Sequence, residues 1–423
     1  MISTIACTAR LAARWLTVAA ACGMALAGYA RAISFQFDAP AAILTSEDME
    51  RNGILFPDGI MWFVRKDGVD QYYVSGAGGT LSGAGKTARL PHGTYKFAGS
   101  LDKFVPAKLE NGRPAYSLAD GRKQPSPDGS DFDRDYAGGG PTYLFNLGTG
   151  RGPVFLQIYH GEYHLLPNKG LPGYGASGMA ISYDGGDTFE KIGQIVSPHL
   201  SRTGFFDEQV NGGMWADGAM VEANADGHRE SVPAGGRVAQ DAQRYFFMIF
   251  TDHNEPRERY VGLSIARVRK ADLLEAIRQR KAPIFRKYYN PSGAVTFEKD
   301  FFTEPGIGGR STPILFNVGQ YIGSPGVVYD SYLRGFVLFY QTNQKQIILR
   351  TSENLLQWSD PVTAFSLDAS SDLRVFYPSV AGKDVDPEVP GQTFYLYFLV
   401  RERPPTGPFL NSRLMREQVK VTP

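Results

Sequence analysis

The chain has 423 residues, with 44 Lys and Arg against 43 Asp and Glu. That near-neutral balance offers no basic surface for nucleic acid or anionic membrane. Richness in Gly (48), Pro (27), Phe (27) and Tyr (22) favours an all-β protein.

In chain order, Arg10 and Arg14 precede an apolar, Ala-rich run from Trp15 to Ala27, and Ala30-Arg31-Ala32 is an A-x-A cleavage site. This reads as a Sec-type signal peptide over residues 1–32. The apolar run is too short for a good membrane span, so no transmembrane span is expected in the mature form. Cys22 as a lipidated cysteine is the alternative, although Ala19-Ala20-Ala21 is a poor lipidation box. Both cysteines, Cys7 and Cys22, fall in this leader. Residues 33–423 then lack disulfides, zinc–thiolate sites and Cys nucleophiles. Removing Arg10, Arg14 and Arg31 leaves 41 basic against 43 acidic residues. An exported protein, periplasmic or extracellular, is expected.

Runs of strand length follow, separated by Gly, Pro, Asn and Asp clusters. They are Ile60–Val64, Gln71–Val74, Tyr143–Phe145, Val154–Tyr159, Tyr245–Phe250, Val261–Arg267, Gly326–Tyr329, Phe336–Gln341, Ile347–Arg350 and Phe394–Val400. Only Lys270–Lys281 reads as a helix, with Leu273, Leu274 and Ile277 as its apolar stripe. Ala119–Ser130 and Glu222–Val238 read as surface excursions. Gly79…Gly85-Lys86-Thr87 imitates a phosphate loop but lacks the first glycine and the strand–loop–helix context. No G-x-S-x-G elbow occurs.

The runs share one grammar: a Gly/Pro entry, a turn, a Tyr/Phe-rich strand and a last pair ending in Ser-acidic-aromatic. Gly323–Pro361 shows it whole, Pro141–Phe189 and Gly212–Arg267 show it with insertions, Tyr377–Val400 gives its first half, and Ile54–Val74 is a further candidate copy. Five modules predict a five-bladed β-propeller of four-stranded antiparallel blades, one domain over residues 33–423 with one short helix in an insertion. A β-sandwich would not need the repeat. Ser182, Asp184, Gly186, Thr188 and Phe189 spell S-x-D-x-G-x-T-F, a tight turn in which Asp and Thr side chains satisfy backbone N–H groups. Ser352 to Trp358 is a cousin of it.

Several of these elements resemble the five-bladed propeller glycoside hydrolases, such as families 43, 32, 62 and 117. They are Thr351-Ser352-Glu353-Asn354-Leu355…Trp358-Ser359, Ser324-Pro325…Tyr329-Asp330 and the Tyr/Phe-rich second strands. The S-x-D-x-G-x-T-F turn resembles the Asp box of sialidases, a structural element remote from chemistry; the Arg-Ile-Pro motif of that family is absent. The resemblance implies acids from different blades at one end of a central channel. It also implies a carbohydrate substrate, and no cofactor or resident metal is expected.

Glycosidic cleavage needs one protonated carboxyl and one ionised one, about 5–9.5 Å apart. On an extended segment His160, Glu162 and His164 share one face, about 6.5–7 Å apart. A carboxyl between two imidazoles suits proton transfer; the bland alternative is a loop with hydrogen-bonded His, and a metal reading lacks the helical H-E-x-x-H pattern. Asp131, Asp133, Arg134 and Asp135 precede the Gly138-Gly139-Gly140-Pro141 entry. Resembling families place the base Asp at such an entry, which implicates Asp135; a solvated acidic loop is the alternative. Asp207 and Glu208 precede the entry at Asn211–Trp215, where Trp215 is either a sugar platform or core. Asp252 and His253 end a strongly apolar strand. Arg310 opens another module and suits a hydroxyl pair or carboxylate.

The expected function is a monomeric glycoside hydrolase with Glu162 as acid, Asp135 as base and Asp252 or Glu208 as orienting acid. His160, His164, His253, Arg310 and Trp215 would shape the sugar site. A non-catalytic glycan-binding propeller, and a polysaccharide lyase or metal-assisted hydrolase using the His160–His164 face, are the alternatives.

Overall fold

The computed structural model describes residues 33–51, 59–76, 79–83, 86–90, 93–101, 103–106, 121–148, 152–165, 173–198, 212–229, 244–252, 262–290, 311–316, 320–383, 386–402 and 410–422. The chain forms two compact units, Met1–Gln36 with Val421–Pro423, and Phe37–Lys420. The signal-peptide reading, with Cys7 and Cys22, lies outside the described residues. Strand β1 (Ser34–Phe37) starts in the first unit, where the Ser34 and Thr422 hydroxyls lie 2.6 Å apart.

In the second unit, strand β2 (Ala41–Thr45) leads into helix α1 (Ser46–Arg51), which the sequence reading missed. Its apolar stripe is too short to register, but its start is capped. Thr45 Oγ1 accepts from Asp48 N at 3.3 Å, while Asp48 Oδ2 accepts from Thr45 N at 2.9 Å, the reciprocal pattern of a capping box.

The strands that follow form the blades of a five-bladed β-propeller. Blade one is β3 (Trp62–Lys66), β4 (Val69–Gly76), β7 (Gly93–Ser100) and β8 (Lys103–Pro106), interrupted by a hairpin of β5 (Gly79–Gly83) and β6 (Lys86–Leu90). The phosphate-loop look-alike is thus a two-stranded hairpin. Blade two is β9 (Tyr136–Asn146), β10 (Pro153–His164), β11 (Gly173–Ser182) and β12 (Glu190–Val196). Blade three is β13 (Gly212–Asn224), β14 (Arg244–Asp252), β15 (Gly262–Arg269) and β16 (Arg286–Lys287), with helix α2 (Lys270–Gln279) inserted before β16. Glu222 to Asn224 therefore belong to β13 and not to an excursion. A short parallel pairing of β11 with β13 joins blades two and three in one eight-stranded sheet. Blade four is β17 (Ile322–Asp330), β18 (Gly335–Thr342), β19 (Gln346–Ser352) and β20 (Val362–Ser366). Blade five is β21 (Leu373–Gly382), β22 (Thr393–Glu402) and β23 (Leu410–Thr422), completed by β2. The pairing Ala41↔Arg416 to Thr45↔Arg413 joins the two ends of the unit within one sheet and covers its last edge.

The first strands of blades two to five slip register against their second strands at corresponding places. In three of them the slip holds an X-Pro pair, namely Gly140-Pro141, Ser324-Pro325 and Tyr377-Pro378. Proline has no N–H to give to the ladder, so each pair forms a bulge. Ser324 and Tyr377 take positive φ there, +51° each. The core lies between blades: Phe63 of blade one packs tilted against Tyr397 of blade five, ring centroids 4.6 Å apart, and Phe145 of blade two meets Phe246 of blade three at 5.4 Å.

The turn from β11 to β12 is held by its own side chains. Asp184 Oδ1 accepts from Ser182 Oγ (2.7 Å), Asp187 N (3.1 Å) and Thr188 N (3.0 Å), while Ser182 Oγ accepts from Gly186 N at 2.9 Å. The β19–β20 turn repeats the device with Ser352 and Asn354, whose oxygens accept from Leu355 N and Gln357 N. Asp184→Ala is expected to lower stability by about 1–2 kcal/mol, read as a fall in urea midpoint. An unchanged midpoint would mean that Gly185 and Gly186 hold the turn alone.

Candidate active site

Strand β10 alternates its side chains between two faces, and its last residues carry the cluster. Glu162 pairs in register with Tyr136, the first residue of β9, and with Gly175 of β11. Asp252 likewise ends β14 opposite Met214 near the start of β13. Both therefore lie at the same end of their blades, where the first strands enter.

His160, Glu162 and His164 meet as the alternation predicts. His160 Nε2 lies 3.0 Å from Glu162 Oε1, and His164 Nε2 is bonded to Glu162 Oε2. The Glu162 side chain keeps 20% of its surface exposed. Burial pushes its carboxyl up, but hydrogen bonds from both imidazoles outweigh this and hold it down at about 2. The same bond to Glu162 raises His164 above the usual imidazole range. The pairing therefore favours the ionised form of Glu162 and the protonated form of His164. The expected role of Glu162 as acid needs a protonated carboxyl, which this pairing disfavours near neutrality.

Asp135 sits beside this pair but is fully engaged. Its Oδ2 accepts from His164 N at 2.7 Å and from Arg134 at 2.9 and 3.1 Å, and its Oδ1 is bonded to Arg122. Burial raises its carboxyl; the His164 N–H and the two guanidinium groups prevail and keep it below the usual range. A carboxylate held by two guanidinium groups has little lone-pair capacity left for a water proton. Asp135 ties Arg122 and Arg134 to the backbone of His164.

Asp252, expected as an orienting acid, lies inside blade three. It is wholly buried, accepting from Ser311 Oγ at 2.6 Å and lying 3.5 Å from Lys287 Nζ, itself buried. An orienting acid must reach the substrate, and this one is enclosed in blade three. Trp215, on β13, pairs with Thr251 of β14, while its side chain lies outside the described residues. Glu208, His253 and Arg310 also lie outside them. Of the expected acids among the described residues, the Glu162 side chain is 20% exposed and those of Asp135 and Asp252 are buried.

Sequence reading missed the residues that seat the cluster. Of the acidic run before β9, only Asp131 is solvated; Asp133 is buried against Lys191 Nζ at 2.6 Å. Arg134 donates to His164 O at 2.9 Å and lies 3.6 Å over the Tyr163 ring. The one available signal was Phe132, an aromatic residue inside an otherwise polar run.

Among the described residues no group of three His, Cys, Asp or Glu is disposed to hold a metal ion. Both Nε2 atoms are turned onto Glu162 instead of sharing an outward point with it. No described helix is long and apolar enough to cross a membrane.

No protein-family model and no curated protein matches this chain. Among solved structures, the catalytic domain of a GH62 α-L-arabinofuranosidase from Coprinopsis cinerea is similar at 9% identity and TM-score 0.45, covering 92% of this chain and 98% of that one. A putative glycosidase from Bacteroides thetaiotaomicron is similar at 12% identity and TM-score 0.42, covering 90% and 96%. An exo-1,5-α-L-arabinanase from a bovine ruminal metagenomic library is similar at 10% identity and TM-score 0.43, covering 85% and 92%. Likeness at this level says nothing of substrate or reaction. The blades themselves carry the assignment: the chain is a five-bladed β-propeller, an architecture shared with glycoside hydrolases.

Proposed function

We propose that this chain is an exported glycoside hydrolase acting on a polysaccharide or oligosaccharide, with Glu162 as its central carboxylate. The observation that carries this reading is the partly exposed, ionised Glu162 between two imidazoles, at the end of β10 where the first strands enter. An ionised carboxylate there suits activation of water or direct attack at an anomeric carbon. The bond to Glu162 favours a proton on His164 within the same cluster. Glu208, just ahead of β13, is the remaining acid of the sequence reading and takes the proton-donor role. His253 and Arg310 remain proposed contacts to sugar hydroxyls.

Glu162→Gln is expected to reduce hydrolysis by about 10²–10⁴-fold while leaving the melting transition in place. Release of reducing ends from a panel of plant and bacterial-envelope glycans measures it. Full activity in the variant would remove the assignment.

One observation favours a second reading, a glycan-binding propeller without catalysis. Asp135, the acid beside Glu162, is held by two arginines and offers no free base. Wild-type protein that retains a glycan in an affinity gel but never releases reducing ends would establish that reading instead.

A further inference from the structure

The face of β10 opposite the cluster carries Tyr159, Gly161 and Tyr163, and the segment 132–135 is laid against it residue by residue. Phe132 stacks on Tyr159 at 5.6 Å, with 28° between the rings. It fits because two glycines leave room. A Cβ on Gly161 would meet the Phe132 ring at 2.4 Å, and one on Gly178 of β11 would meet the Tyr159 ring at 2.3 Å and Phe132 at 2.6 Å. Asp133 Oδ2 accepts from Tyr159 OH at 3.0 Å and from Lys191 Nζ at 2.6 Å. Lys191, on β12, also donates to Gln124 O at 2.7 Å. Arg134 covers the Tyr163 ring, and Asp135 turns the strand edge to take His164 N. Asp135 N in turn donates to Glu162 O at 3.0 Å.

From this we infer that Phe132 to Asp135, anchored by the buried Asp133–Lys191 pair, is a positioning element that holds His164 against Glu162. Cluster and anchor lie on opposite faces of one strand, so the anchor acts through the backbone of β10 and not by contact with the reacting groups. Asp133, Lys191 and Phe132 are positioning residues. Any catalytic consequence rests on the glycosidase reading above; the imidazole titration described next does not.

The test is the NMR titration of His164 in the full-length protein, its signal assigned with a His164→Gln variant. Two variants leave net charge unchanged, so a direct electrostatic effect on His164 is small. One is the double substitution Asp133→Asn with Lys191→Met, and the other is Phe132→Ala. Loosened from Glu162, His164 is expected to titrate lower by about half a pH unit or more, toward the ordinary value near 6.5. Leu414→Ala, a core change in blade five, is expected to lower stability and leave the His164 midpoint where it was. Unchanged midpoints in both positioning variants would overturn the inference, as would an equal shift in Leu414→Ala. If the double variant does not fold, Phe132→Ala decides by the same criterion. Failure of every glycan to be cleaved would refute the hydrolase reading without touching this result.

Discussion

Lys191→Met is expected to cost about 3–5 kcal/mol of folding stability, the largest loss from any single polar substitution proposed for this chain. The side chains of Lys191 and Asp133 are 1% and 0% exposed, with Nζ and Oδ2 2.6 Å apart. Burial already raises the Asp133 carboxyl, and the Lys191 charge is the chief opposing influence, followed by bonds from Lys191 and Tyr159. Without the ammonium, Asp133 keeps the Tyr159 hydroxyl as a donor at 3.0 Å and has no access to water. It must then either stay charged and unpaired or take up a proton, and both raise the free energy of the folded state. Removing both charges, with Asp133→Asn and Lys191→Met together, is expected to recover much of the loss, since the desolvation of two ions disappears with them. Urea unfolding checks this: the midpoint should fall sharply in the single variant with an unchanged slope, and rise again in the double. A single-variant loss below about 1 kcal/mol would show that the carboxylate finds another partner, and the pair would not be the anchor of the segment.

That pair also marks where the sequence ceased to be legible. Most blades could be read because each is a local repeat: Gly323–Pro361 contains nearly all of β17 and the whole of β18 and β19, and stops one residue before β20. The strand runs could be read because apolar and β-branched residues cluster between turn residues. The alternation that places His160, Glu162 and His164 on one face is equally local, and the structure brings the three together. What was hidden depends on partners distant in sequence. Asp133 looks like any member of an acidic run until Lys191, on the outer strand of the blade, is folded beside it. Asp135 looks like an entry-strand base until Arg122 and Arg134 close on it. Blade five could be read only as a half module, because its closing strand, β2, comes from the other end of the chain. Asp252 has the composition of an active-site rim, a polar residue ending an apolar strand, and Lys287 turns that same position into a buried ion pair.

The second large effect is a loss of stability in alkali that traces to Glu417. This residue of β23 is 3% exposed, and its Oε1 is buried with no hydrogen-bond partner. Burial, with the Asp38 carboxylate adding to it, pushes its carboxyl up to about 8 from an unfolded value near 4.5. A folded-state pKa above the unfolded one means that the folded chain holds a proton the unfolded chain releases. The stabilisation is therefore complete below about pH 4.5, declines as the pH rises from there and is fully lost above about pH 8. Glu388 acts in the same direction: burial first, then Asp386, raise it to about 8 against the bond from Trp62 Nε1. Over that window the Glu417 contribution is of the order of 3–5 kcal/mol. Glu417→Gln does not titrate, so it should flatten the stability profile. The new amide carries its own cost of burial, but that cost is the same at every pH, so the informative quantity is the slope. Urea midpoints from pH 5 to pH 9 should fall steeply in the wild type, less steeply in Glu417→Gln, and least in the double variant with Glu388→Gln. Parallel slopes for wild type and Glu417→Gln would mean that Glu417 reaches water or a cation when it ionises. Asp38→Asn separates the two causes. If burial dominates, this neighbour's removal shifts the Glu417 transition only slightly toward acid, because the carboxylate oxygen enclosed in β23 is still without a donor.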